Sequence, residues 1–146
     1  MSGRAVVDAS VVVKWLVDEV YTEAAVALAQ FWSRAGVQPT APCLMPIEVA
    51  NALYRRILSG QLSVQQAVRL LDELLDSGME FKEPVGLLTR AIDVAAQLRQ
   101  GTVYDSYYLS LAETLGCELW TADEKFYRAA KEEFGFVKWL GDFTTG

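Results

Sequence analysis

Histidine is absent from this 146-residue chain. That gap removes imidazole metal ligands, Ser-His-Asp and Cys-His nucleophile systems and acid–base catalysis by histidine. Any catalysis must rest on carboxylates, hydroxyls, amines or a hard metal ion. Cysteine is scarce as well. Cys43 and Cys117 lie far apart, fit no metal-ligand spacing and are expected to be two buried free thiols in a reducing cytoplasm. Positive charge is in deficit, with 13 Lys and Arg against 19 Asp and Glu and a net charge of −6. This argues against a broad basic nucleic-acid footprint but leaves local contacts open. Long apolar runs are missing too: nothing reaches the roughly 18–20 residues that span a bilayer. The apolar run near the N-terminus is broken by Asp8 and Lys14 and has no leader pattern. A soluble, cytoplasmic protein that does not enter membranes is expected.

What is present is a 52% apolar composition with four tryptophans, enough for one packed domain over residues 1–146. Val6 and Val7 predict a buried strand that ends at Asp8, followed by a short helix from Ala9 to Leu16. Thr22 to Arg34 reads as a helix closed by Gly36, and Val37 to Ala41 as a short strand stopped by Pro39 and Pro42. Leu44 to Leu58 has helical spacing of apolar residues. Ser63-Val64-Gln65-Gln66 fits a capping box that opens a second helix to Asp76. This 44–76 hairpin has an outer stripe that could pack on another subunit or simply cover the core. Met79 to Lys82 is a candidate strand, Gly86 to Gln100 and Thr102 to Leu115 are helices, and Cys117 to Thr121 is a strand. Asp123 to Glu133 is a helix and Phe136 to Trp139 a last strand. Alternating strands and helices with short connections imply an open, mostly parallel α/β sheet.

Four acids fall at special places in that order. Asp8 and Asp123 follow strand ends, while Glu48 and Asp105 sit near helix N-termini. Each also has a structural reading: Asp8 and Asp123 as N-caps, Glu48 as a first-turn acid favoured by the helix dipole, and Asp105 as part of a Thr102–Asp105 capping box. Thr121 and Glu124 form a competing box beside Asp123. Asn51, three residues after Glu48, is close enough on the same face to hydrogen-bond it. In a parallel sheet all four acids share one rim. Carboxylates crowded there repel one another unless a cation neutralises them, and oxygen ligands favour Mg²⁺ or Mn²⁺.

Four blocks carry a family resemblance: Val7-Asp8-Ala9-Ser10-Val11-Val12-Val13-Lys14-Trp15; Glu48-Val49-Ala50-Asn51-Ala52-Leu53; Tyr104-Asp105-Ser106-Tyr107-Tyr108-Leu109-Ser110-Leu111-Ala112-Glu113; and Leu119-Trp120-Thr121-Ala122-Asp123-Glu124-Lys125-Phe126. In this order they resemble PIN-domain ribonucleases, and more narrowly the VapC-type toxins of bacterial and archaeal toxin–antitoxin pairs. The resemblance implies a three-layer α/β/α sandwich and a metal-binding catalytic cluster at the positions of Asp8, Glu48, Asp105 and Asp123. It also implies supporting hydroxyls at Ser10 and Thr121. It further implies RNA as substrate, a VapB-type antitoxin as partner, and a homodimer, with the 44–76 hairpin as the surface for dimer or antitoxin contact. Ser106 is a mild departure from the small residue usual after the third acid.

One or two Mg²⁺ or Mn²⁺ ions on these acids would make a metal-dependent endoribonuclease. Lys14, Arg55, Arg56, Lys125 and Arg128 are candidates for phosphate contacts, or else solvated helix faces. Trp15, Tyr104, Tyr107 and Tyr108 could stack bases, although most aromatics at helical spacing are core. Three rivals stay open: a receiver-like phosphorylated domain, for which the single acid of the first strand is too few; a catalytically silent PIN-fold binding scaffold; and a structure-specific nuclease acting on DNA.

Overall fold

The computed structural model describes residues 3–143, so the first two and last three residues of the expected 1–146 domain lie outside the described residues. Strand β1 (Arg4–Val7) sets the architecture. Ala5, Val6 and Val7 are buried almost completely, as suits a strand covered on both faces. β1 pairs on one side with β2 (Gln38–Ala41) and on the other with β4 (Glu118–Thr121). β3 (Glu80–Phe81) and β5 (Val137–Trp139) flank these. The order is β3-β2-β1-β4-β5, and every pairing is parallel.

The helices α1 (Ala9–Leu16), α2 (Thr22–Ala35), α3 (Leu44–Leu58) and α4 (Val64–Leu75) serve the connections that step outward from β1 to β3. α5 (Leu87–Gln97) and α6 (Tyr104–Leu115) carry the chain back across to β4, and α7 (Glu124–Ala130) leads on to β5. Steps in opposite directions with right-handed crossovers put the two helix sets on opposite faces, which gives the three-layer α/β/α sandwich. α6 packs on β1 and β4 and against α5. Its Ser106 to Ala112 run is buried throughout, as in a helix enclosed on all sides. Because the chain leaves β1 in one direction and later returns to its other side, β1 and β4 border the switch point. There the carboxyl ends of the strands open a crevice.

The sequence-based boundaries hold to within a few residues, with physical reasons for the shifts. The last helix ends at Ala130 rather than Glu133, since Glu132 and Glu133 would put negative charge at the negative end of its dipole. α5 starts after Gly86, whose φ of 87° supplies the left-handed N-cap, and stops before Arg99, at φ 56°. α6 begins at Tyr104 behind Val103, so the expected Thr102–Asp105 capping box does not form. The Ser63–Gln66 box does form in full. Cys117 is buried as expected, but Cys43 is exposed at the N-cap of α3. No helix among the described residues is long and apolar enough to cross a membrane.

Candidate metal centre

Asp8 leaves the buried end of β1 and is itself only 3% exposed. Its backbone N–H donates to the Trp120 carbonyl at 3.1 Å, which joins the ends of β1 and β4. Its Oδ1 accepts the Ser10 N–H at 2.7 Å and the Ser10 hydroxyl. Ser10 Oγ in turn accepts the Ala122 N–H at 2.9 Å, and Thr121 Oγ1 accepts the Asp123 N–H at 3.0 Å. One short network thus caps α1 and fastens the two loops that carry Asp8 and Asp123. Asp8 is therefore both the N-cap and a member of the acidic rim, and the two readings are not exclusive.

Asp123 caps α7, accepting the Phe126 N–H at 3.1 Å through Oδ1. The expected Thr121–Glu124 box is replaced by the tighter Thr121–Asp123 turn. Glu48 is the fifth residue of α3 and not part of its first turn. Asn51 is exposed and does not bond it. The donor is the phenol of Tyr108, at 2.6 Å to Glu48 Oε1. This contact joins α3 to α6 across 60 residues of sequence, and no local pattern signals it. Asp105, in the first turn of α6, is half-buried and accepts no hydrogen bond among the described residues.

The four carboxyls act on one another. Asp105 is pushed up to about 7, first by burial and then by the charges of Asp8, Asp123 and Glu48. Burial also raises Asp8, against the pull of the Ser10 and Thr121 hydroxyls, with a further push from Asp123. Burial raises Glu48 too. The Tyr108 hydrogen bond opposes this and the charge of Asp8 adds to it. Such an arrangement is stable as four anions only with a cation among them. Oxygen donors alone, with no imidazole or thiolate in reach, fit a hard divalent ion. As the side chains stand, no three of the described His, Cys, Asp or Glu residues form a closed ligand set. The donor chemistry fits, and the carboxyls would have to draw inward to use it.

Beside Ser10 and Asp123 a cavity of about 530 Å³ is lined by Lys14, Glu19, Arg55 and Arg56. Glu19 joins two of these cations, meeting Lys14 Nζ at 3.0 Å through one oxygen and Arg56 through the other. The sequence reading missed Glu19, which lies in the loop after α1, outside the i,i+4 spacing that would pair it with Lys14 on a helix. Lys125 and Arg128 stand apart on α7, where Arg128 pairs with Glu124. Of the aromatics, Tyr107 and Tyr108 are core. Trp15 packs edge-on against Trp32 and donates to the Ala25 carbonyl at 2.8 Å. Of the four candidates, Tyr104, at 52% exposure, is the one free to stack a base.

An open parallel sheet with an acidic rim at its switch point defines the class: an α/β protein whose acids gather at the carboxyl ends of its central strands. The family is more specific: the PIN domain model matches residues 5–132, and this chain belongs to the PIN-domain family. It is 36% identical over 93 residues to Ribonuclease VapC1 from Mycobacterium tuberculosis, in each of two strains. That match covers 61% of this chain and 65% of the relative, less than two thirds of the relative's length. Among solved structures it is similar in fold to PAE2754 from Pyrobaculum aerophilum. The TM-score is 0.69 and the identity 24%, covering 94% of this chain and 90% of that one.

Proposed function

We propose that this chain is a Mg²⁺- or Mn²⁺-dependent endoribonuclease that acts in the cytoplasm as the toxin of a type II toxin–antitoxin pair. The observation that carries the reading is Asp105. It is a half-buried carboxyl with no hydrogen-bond donor among the described residues, raised to about 7 by burial and by Asp8, Asp123 and Glu48. Structural carboxylates acquire partners, whereas the charges that act on this one come from other carboxylates. Membership of the PIN-domain family and likeness to a protein named as a ribonuclease support the same reading.

In this reading Asp8, Glu48, Asp105 and Asp123 hold the cation. When bound, it supplies positive charge that acidifies a water and offsets charge building on the scissile phosphate. Ser10 and Thr121 keep Asp8 oriented, and Tyr108 keeps Glu48 aimed into the crevice. RNA is the substrate and a VapB-type antitoxin the partner. The 44–76 hairpin provides the surface for a homodimer or the antitoxin, since α4 leaves Val64, Val68 and Leu75 about half exposed.

Incubating the purified chain with a mixed RNA pool, with Mg²⁺, with Mn²⁺ or with EDTA, tests the activity. Cleavage should require the metal and vanish in Asp8→Asn. Cleavage that persists in EDTA or in the variant would refute the carboxylate-metal reading.

A further inference from the structure

The cavity beside the acidic rim gathers three cations of this acidic chain around a concave surface. Lys14 comes from α1, and Arg55 and Arg56 come from α3, while Ser10 and Asp123 belong to the rim itself. The cavity therefore adjoins Asp123 and the Ser10 that bonds Asp8. Its volume of about 530 Å³ lies within the roughly 300–1,000 Å³ typical of ligand sites.

The cations are not equivalent. Lys14 and Arg56 share the carboxylate of Glu19, and Arg56 also donates to Gln61 Oε1 at 2.8 Å. Glu19 is held in turn, because its N–H donates to the Thr22 hydroxyl at 2.9 Å. Two cations around one carboxylate leave an excess of positive charge, pinned to the wall. Arg55 is exposed, lines the same cavity and has no partner among the described residues. No aromatic side chain lines the cavity, so nothing there stacks a base. A cationic wall without a stacking platform suits a backbone phosphate, which positions a strand without reading its sequence.

We propose that this cavity is a subsite for an RNA phosphate adjoining the one cleaved. Arg55 is its principal cation, and Glu19 is the residue that fixes Lys14 and Arg56 on its wall. The inference rests on the ribonuclease reading and adds where the strand runs: from the acids toward the C-terminal half of α3, not along α7.

Binding of a short, mixed-sequence, fluorescent RNA to the full chain in Mg²⁺ tests it. The measurement is made in the Asp8→Asn background, so that the probe stays intact, over a range of salt. Arg55→Gln should weaken binding about fivefold near 0.1 M salt and reduce the slope of log K against log salt by about 0.7, alike for all sequences. Arg34→Gln makes the same charge change on the exposed end of α2, outside the cavity and the hairpin, and should alter neither quantity. Equal behaviour of the two variants would overturn the subsite and leave the ribonuclease reading intact if the parent chain cleaves RNA. A parent that neither binds nor cleaves RNA would overturn both. Binding of a poly-glutamate peptide that Arg55→Gln abolishes, with RNA binding unchanged, would assign the cavity to an acidic protein tail instead.

Discussion

Asp105 binds its proton more tightly in the folded chain, at about 7, than its ordinary value of 3.8 allows. Below about pH 4 it is protonated in both states and makes no difference to stability. As pH rises from about 4 to 7 the unfolded chain gains by ionising and the folded one does not, so stability falls, and above 7 the penalty is complete. Asp105→Asn should therefore raise the metal-free Tm at pH 8, by an amount on the order of 3–6 °C, and leave it nearly unchanged near pH 4. The same variant should abolish RNA cleavage. Thermal melts at the two pH values check this; a Tm gain equal at both would show that the carboxyl is not held in that way. Tyr108 makes the opposite case. Tyr108→Phe removes the hydrogen bond to half-buried Glu48 and should cost about 1–3 kcal/mol in urea unfolding. No loss would mean that the contact does not hold Glu48. The contrast marks what could be read at this scale. That Asp8 and Asp123 follow strand ends was legible from the apolar runs before them. The donor to Glu48 was not, since the nearest candidate in sequence, Asn51, faces solvent and the real one comes from α6.

Among the elements, local chemistry was legible wherever capping residues decide the outcome. Ser63 and Gln66 start α4 as their spacing requires, and Gly36 ends α2 in the left-handed conformation. Where tertiary packing or a loop reversal decides, the sequence was a poorer guide. α5 ends early at Gln97, with Leu98 as its cap ahead of a left-handed Arg99, a position with no glycine to announce it. α4 buries only Ala67 and Leu74 fully and leaves Val64 and Val68 more than half exposed. Periodicity identifies such a helix but does not say what covers its other side. If the hairpin is the association surface, Val68→Lys should shift monomer stability by no more than about 0.5 kcal/mol while light scattering shows loss of a dimer. A dimer that survives the substitution would remove α4 from the interface.

For the whole molecule, the site follows from topology. The chain builds outward from β1, returns across the opposite face, and so leaves Asp8 and Asp123 on neighbouring strand ends joined by the Asp8–Trp120 and Ser10–Ala122 bonds. Alternating strands and helices made the parallel sheet legible, and the lack of histidine narrowed any catalysis to carboxylates, hydroxyls, amines or a hard metal ion. How the side chains face one another required the fold. The central claim is that the four acids form one site for a divalent cation. Calorimetric titration of Mn²⁺ into the wild-type chain, beside Asp8→Asn and Asp105→Asn, tests it most directly. Saturable binding to the wild type, lost or strongly weakened in both variants, is the predicted result. An absence of binding, or binding that both variants retain, would contradict it.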